Sequence, residues 1–117
     1  MRIVAVTVEP VRVSAALAEL LVRVDLDGPV DGVELRGRLV GPRCAGVSTV
    51  EVAYPLRPVA GESDTAPSLR ALIPEPTPWE PAAPFRYDGR VELWAGGAKA
   101  DERAFAVELR ATPPEMS

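Results

Sequence analysis

Hydrophobic and polar residues alternate along most of the chain, in segments that are separated by Gly, Pro and Asp clusters. A period of two is typical of strands in an antiparallel sheet with one buried face. The clearest segment runs from Leu17 to Leu26, where the apolar side chains that point one way are Ala18, Leu20, Val22, Val24 and Leu26. Residues 15–21 are good helix formers, so a helix is the competing interpretation. We favour a strand because β-branched residues alternate through the second half of the segment.

The same pattern predicts about seven strands. They cover residues 2–13, 17–26, 33–40, 47–54, 69–73, 85–94 and 99–110. Pro10 interrupts the first strand and indicates either an edge strand or a switch between sheets, because proline has no N–H for a sheet ladder. In the fourth strand we expect Val50, Val52 and Tyr54 to share one face. A polar loop is expected at residues 57–67.

The turns and the strand spacing predict an all-β fold. The pair Gly96-Gly97 favours a tight hairpin turn between the last two strands. Seven short strands in a chain of 117 residues fit an immunoglobulin-like, two-sheet antiparallel β-sandwich, and the 13 prolines disfavour a helical fold. We expect residues 1–112 to form a single domain and residues 113–117 to be a disordered tail.

Composition excludes several classes of function. The sequence has no histidine, which is the side chain most used for acid–base chemistry near neutral pH and the commonest metal ligand. Its one cysteine, Cys44, cannot form an internal disulfide or a zinc site. The formal net charge of −4 does not suit a nucleic-acid partner, and no apolar run has the length of a signal peptide or a membrane span. We therefore expect a cytoplasmic protein with no cofactor, no metal and no membrane attachment.

The last third of the chain contains a motif of prolines and a tryptophan, followed by a hairpin and a closing arginine. Its residues are Pro76, Trp79, Pro81, Pro84, Tyr87, Asp101, Glu102 and Arg110. In type and spacing they resemble the end of the immunoglobulin-like β-sandwich domain of glycoside hydrolase family 2, the β-galactosidase, β-glucuronidase and β-mannosidase group. The sequence departs from that family's pattern at Glu75, Pro78, Arg86 and Glu108.

The resemblance implies a non-catalytic module. In that family the catalytic carboxylates lie on a TIM barrel that follows the sandwich, and the sandwich acts as a spacer and a packing surface. We therefore expect a stand-alone sandwich without the catalytic barrel, onto which none of the family's catalytic residues can be transferred. The expected function is protein–protein interaction or structural support. The alternative is a carbohydrate-binding module that uses an exposed tryptophan.

Trp94 is the strongest candidate for contact with a partner or a sugar. Alternation places Arg90, Glu92 and Trp94 on the outward face, beside the hairpin turn. A tryptophan next to an arginine is typical of interface anchors. The alternative is a structural tryptophan that lies on Arg103 or Lys99 in a cation–π contact. The expected partner is an unknown protein, a carbohydrate, or a second copy that forms a homodimer through an edge strand.

Other candidate sites have structural interpretations. Trp79 is expected to cover one end of the core, with its indole N–H bonded to a loop carbonyl, rather than to stack on a sugar. Cys44 is expected to be an unreactive bystander, because no second cysteine or histidine activates it. Two carboxylate pairs fall beside turns, where carboxylates are normally solvated, so we expect neither catalysis nor metal binding there: Asp25 with Asp27, and Asp101 with Glu102.

Overall fold

The computed structural model describes residues 1–29, 31–59 and 65–110. That part of the chain contains strands and no helix, so the predicted all-β class is confirmed. The strands are β1 (Ile3–Val13), β2 (Leu17–Leu26), β3 (Val33–Arg43), β4 (Val52–Val59), β5 (Ser68–Pro74), β6 (Trp79–Glu80), β7 (Ala83–Pro84), β8 (Arg86–Ala95) and β9 (Ala98–Val107). The expected tail at 113–117 lies outside the described residues.

A seven-stranded antiparallel sheet folds over on itself to make the two layers of an immunoglobulin-like β-sandwich. Its strand order is β1-β2-β5-β4-β3-β8-β9. The sheet bends over within β4, where residues 52–56 pair with β3 and residues 57–59 pair with β5. One layer is therefore β1-β2-β5 and the other is β3-β8-β9. Strands β6 and β7 form a separate two-stranded hairpin from the proline-rich segment.

The core lies between the two layers and is built from the alternating apolar positions. In β2 the predicted inward residues are buried, with Ala18, Leu20, Val22 and Val24 all at 0% exposure. From the other layer the core receives Leu35, Leu39, Tyr87, Val91, Leu93, Val107 and Leu109. Full burial of one aliphatic or aromatic side chain stabilises a fold by about 1.5–3 kcal/mol, so this cluster is the main source of stability.

The fourth strand differs from the predicted one. It covers Val52–Val59 instead of residues 47–54, so the expected loop at 57–67 begins within the strand. Val50 lies before the strand and is 86% exposed, so the prediction that it shares a strand face with Val52 and Tyr54 is wrong for Val50. Val52 and Tyr54 do lie on one face of β4, and Val52 is 45% exposed. Only Tyr54 packs against the core. Residues 60–64 of the expected loop lie outside the described residues.

Two prolines explain why the sequence pattern predicts the fourth strand at the wrong position. Pro55 and Pro58 resemble strand breakers, because a proline cannot donate to a ladder. Pro55 nevertheless stands opposite Arg38 of β3, and Pro58 stands opposite Leu69 of β5. Each half of β4 pairs with only one neighbouring strand, so one side of its backbone needs no ladder hydrogen bonds. Prolines are tolerated in such a strand.

The first strand lies at an edge of the sheet, as Pro10 indicated. β1 pairs with β2 on one side, and its register shifts between Pro10 and Arg12. Such an irregularity is typical of edge strands, where it makes the strand a poorer template for pairing with other chains. The switch between sheets, which was the other interpretation of Pro10, occurs in β4 instead.

Two side chains connect the edge strands β1 and β9. Asp101 Oδ2 accepts a hydrogen bond of 2.8 Å from the Ile3 N–H, and Arg103 Nη2 donates one of 2.7 Å to the Ile3 carbonyl. Asp101 stands opposite Leu93 and Arg103 stands opposite Val91, so both face the core side of β9. The expectation that Asp101 is merely a solvated carboxylate is therefore wrong. These two residues close the sandwich where its two edges meet.

Tyr87 anchors the proline-rich segment to the core. It is 1% exposed, and its hydroxyl accepts a hydrogen bond of 3.0 Å from the Thr77 N–H. Its ring contacts Tyr54 edge-on, with ring centroids 6.3 Å apart. The tyrosine of the sequence motif is thus a structural residue that fixes the course of the chain before β6.

Replacing Asp101 should change how stability depends on pH. Hydrogen bonds from the Ile3 and Glu102 N–H groups lower the pKa of Asp101 below its ordinary value of 3.8. Such a carboxyl group stabilises the fold above its unfolded-state pKa, and this stabilisation is lost as pH falls through the lower folded-state pKa. We expect the thermal midpoint, measured by circular dichroism, to fall more steeply below about pH 4 in the wild type than in Asp101→Asn. Equal slopes in that range would contradict the role of the carboxylate.

Removing the Tyr87 hydroxyl should destabilise the fold. Tyr87→Phe leaves the Thr77 N–H without its acceptor, so we expect the free energy of unfolding in urea to fall by about 1–3 kcal/mol. Tyr54→Phe is the matched control, because the Tyr54 hydroxyl has no hydrogen-bond partner within residues 1–29, 31–59 and 65–110. Its expected effect is within about 0.5 kcal/mol. Similar losses in both variants would mean that the Thr77 hydrogen bond contributes nothing.

Candidate functional site

The outward side chains of β3, β8 and β9 form one open surface, which we call the Trp94 face. Residues directly opposite each other on antiparallel strands share a face, and β8 lies between β3 and β9. The three predicted contact residues, Arg90, Glu92 and Trp94, therefore share this face with side chains from both neighbouring strands. These are Glu34, Arg36 and Arg38 of β3 and Lys99, Glu102 and Ala104 of β9.

Trp94 is half-buried and held by two charged neighbours. The Arg36 guanidinium carbon lies 4.4 Å from the ring centroid, and the indole N–H donates a hydrogen bond of 3.1 Å to Glu92 Oε1. The prediction that Arg103 or Lys99 makes the cation–π contact is wrong. Arg103 faces the core side of β9, while the Lys99 ammonium lies 3.7 Å from Glu92. The cation–π contact and the hydrogen bond together restrain the orientation of the ring.

Glu92 and Glu102 stand directly opposite each other, which brings two carboxylates to one place. Glycoside hydrolases use two carboxyl groups for catalysis, and one of the two must act as an acid with a raised pKa. Here the hydrogen bond from Trp94 and the charge of Lys99 lower the pKa of Glu92, although partial burial opposes them. Lys99 Nζ also lies 3.3 Å from Glu102. The lowered pKa of Glu92 is the opposite of the shift that the acid role needs.

Positive charge exceeds negative charge at the centre of this face. Arg36 pairs with Glu34 at 3.0 Å, and Arg90 lies 3.4 Å from Glu102. Arg38, directly opposite Arg90, forms no ion pair with any residue in the described part of the chain. A groove of about 570 Å³ runs beside this pair over the small side chains Ala104 and Ala106.

The tryptophan of the sequence motif belongs to a different contact. The Arg110 guanidinium carbon lies 3.8 Å from the centroid of the Trp79 ring. The backbone N–H of Trp79 donates a hydrogen bond of 2.8 Å to the Leu109 carbonyl. Two motif residues distant in sequence are thus brought together. Pro84 of β7 stands opposite Trp79 in the small hairpin, and Pro81 lies in its turn. The expected bond from the indole N–H to a loop carbonyl is not found among the described residues.

The other candidate residues, Asp25, Asp27 and Cys44, make contacts within the fold. Asp25 lies 3.4 Å from Arg23, and Asp27 accepts a hydrogen bond of 2.8 Å from the Arg2 N–H. Cys44 is half-buried in a β-bridge with Val47. Within residues 1–29, 31–59 and 65–110, no group of three or more His, Cys, Asp or Glu side chains could hold a metal ion. In the same ranges no helix is long and apolar enough to cross a membrane.

Sequence reasoning identified the β8 residues of the Trp94 face but not their neighbours. Alternation places Arg36 and Arg38 outward in β3, yet it contains no information on which residue of another strand stands beside them. The register between β3 and β8 brings Arg38 next to Arg90. Cross-strand pairing between segments so distant in sequence cannot be obtained from a local pattern.

The contact between Trp94 and Glu92 should be visible in fluorescence. In a Trp79→Phe background Trp94 is the remaining tryptophan, because the chain has two. Since the pKa of Glu92 is lowered, we expect the Trp94 emission to stay constant as pH falls toward 4.5, the ordinary glutamate value, and to change only below it. Adding Glu92→Gln should remove this transition. A transition above that value, or one that persists with glutamine, would contradict the contact.

Comparison with known proteins identifies the fold. The chain matches no protein-family model and no curated protein sequence. Among solved structures it is similar to the Bifidobacterium dentium β-glucuronidase complexed with coumarin-3-O-glucuronide, with a TM-score of 0.64 and 19% sequence identity. The similarity covers 92% of this chain and 18% of that chain. The chain therefore has a β-sandwich fold related to a small part of a glycoside hydrolase, in agreement with the resemblance in its sequence.

Proposed function

We propose that this chain is a non-catalytic accessory β-sandwich that binds a partner protein through the Trp94 face. The observation that carries this proposal is the fixed Trp94 ring, held between Arg36 and Glu92 on an open sheet surface. Tryptophan and arginine are the residues most enriched at the centres of protein interfaces. A side chain that is already held in place loses little conformational entropy when a partner binds.

Three observations support an accessory rather than a catalytic role. The fold corresponds to only 18% of a β-glucuronidase chain, which is the size of an accessory domain in a larger enzyme. The sequence has no histidine, and the carboxylate pair on the Trp94 face has a glutamate with a lowered pKa. A glycosidase acid needs the opposite shift.

The contacts of both tryptophans favour a protein partner over a carbohydrate. A sugar ring stacks on an uncovered aromatic face, but Trp94 carries the Arg36 guanidinium at 4.4 Å and Trp79 carries the Arg110 guanidinium at 3.8 Å. A sugar would have to displace the arginine or use the opposite side of the ring. The surroundings of Trp94 are ionised side chains, which suit charged groups of a protein surface.

A second copy of the chain, joined through an edge strand, has less support than a different protein. At β1 the backbone of Ile3 already bonds to side chains of β9. The other end of β1 is irregular near Pro10. Both features reduce the length of free, regular backbone that a second copy could pair with.

Capture experiments with matched variants test this function. Tagged wild type, Trp94→Ala and Leu72→Ala are compared in native lysate, followed by mass spectrometry; Leu72 is 50% exposed on the outer side of the other layer. We expect a partner that wild type and Leu72→Ala retain and Trp94→Ala loses. Titration of the purified partner should show Trp94→Ala weakening binding by about 2 kcal/mol or more, roughly thirtyfold.

Two results would contradict the proposal. In the first, Trp94→Ala captures the same proteins as the wild type. In the second, a glycan from a broad panel shifts the tryptophan fluorescence saturably and the shift disappears in Trp94→Ala. The second result would establish the carbohydrate-binding alternative.

A further inference from the structure

Arg38 and Arg90 are an unfavourable pair at the centre of the Trp94 face. They stand directly opposite each other on neighbouring antiparallel strands, and both point outward. Like charges in this relation destabilise a sheet. The carboxylate nearest to Arg90 is Glu102, at 3.4 Å, and it is shared with Lys99 at 3.3 Å. Arg38 forms no ion pair with a described residue, so within residues 1–29, 31–59 and 65–110 its positive charge is not neutralised by a carboxylate.

We propose that the Arg38–Arg90 pair binds a carboxylate from an acidic segment of the partner protein, an inference that rests on the proposed function of the Trp94 face. Guanidinium groups bind carboxylates through two parallel hydrogen bonds, so two facing arginines are a natural carboxylate site. A bound carboxylate relieves the repulsion between the two cations. A locally unfavourable contact within a fold is typical of binding sites, because the ligand relieves it on binding.

The shape of the surface fits an extended segment. The groove of about 570 Å³ borders the arginine pair on one side and continues over Ala104 and Ala106. Asp88 also lines it, and Arg43 pairs with this carboxylate at 2.9 Å. A smaller cavity of about 180 Å³ touches the pair on the other side, toward Arg36 and Glu92. A segment in the groove would therefore pass both arginines, and the cavity lies in the direction of Trp94.

The charge of the whole molecule makes a local site necessary for acidic ligands. The net charge is −4, so an acidic peptide is repelled overall and has no long-range attraction to the chain. The other layer has a superficially similar pair, in which Arg57 stands opposite Arg70. Arg57, like Arg38, forms no ion pair with a described residue. The two pairs differ in the glutamate beside them: among the described residues Glu19 pairs with Arg70 alone, at 3.1 Å, whereas Glu102 is shared between Arg90 and Lys99. Arg57 is therefore the matched control for Arg38.

The test is an NMR titration of the ¹⁵N-labelled full chain with a capped hexaglutamate peptide at low salt. We expect saturable shifts of backbone amides in β3 and β8 around the arginine pair. Arg38→Gln should weaken binding about tenfold, because one charged hydrogen-bonding partner is lost. Arg38→Glu should abolish binding, because the new carboxylate pairs with Arg90. Arg57→Gln should bind as the wild type does, and capped hexaglutamine should not bind.

Thermal unfolding separates loss of the site from loss of the fold. Both Arg38 variants remove a repulsion between like charges, so neither should unfold at a lower temperature than the wild type. A variant that is at least as stable and yet binds less peptide supports the site. If Arg38→Gln is less stable than the wild type, the peptide binding of Arg38→Glu decides whether the site exists. In that variant the glutamate pairs with Arg90 and restores a favourable cross-strand contact.

Several outcomes would overturn the inference. They are the absence of saturable binding, an equal loss in Arg57→Gln, and equal binding of hexaglutamine. The titration is independent of the capture experiment. If the peptide does not bind but Trp94→Ala still loses its captured partner, only the carboxylate site is contradicted. If the peptide binds as expected and Trp94→Ala changes no capture, the proposed function of the Trp94 face falls instead.

Discussion

The long strands bury apolar side chains on one face, and the need to cover that face determines the architecture. A sheet with one apolar face must cover that face, and this chain covers it by folding a single sheet over within β4. The two halves of β4 pair with different strands, so the backbone there is never paired on both sides at once. For the same reason Pro55 and Pro58 fit into a strand that would exclude them in the middle of a continuous ladder.

A folded-over sheet has an open side where its two edges meet. A closed barrel would continue the ladder between β1 and β9, whereas here Asp101 and Arg103 bond to the two polar backbone groups of Ile3. Their charged ends satisfy Ile3 at the rim while Phe105 and Val107, farther along β9, pack against the core. Inward-pointing charges at a sheet edge also make that edge a poor template for other chains.

The outer face of the β3-β8-β9 layer contains groups that the fold does not need. Trp94 is restrained by Arg36 and Glu92, although it contributes little to the core, and Arg38 faces Arg90 at a cost to the sheet. The similarity to part of a β-glucuronidase establishes the fold, and a fold alone does not specify a function.

The sequence by itself determined the all-β class, the buried face of β2, and the outward direction of Arg90, Glu92 and Trp94. These properties depend on the alternation of neighbouring residues, which is local. Only the tertiary structure decided the position of β4 and the contacts between Arg36 and Trp94, Asp101 and Ile3, and Arg38 and Arg90. Those depend on the register between strands that are far apart in the chain, and a period of two is compatible with many registers.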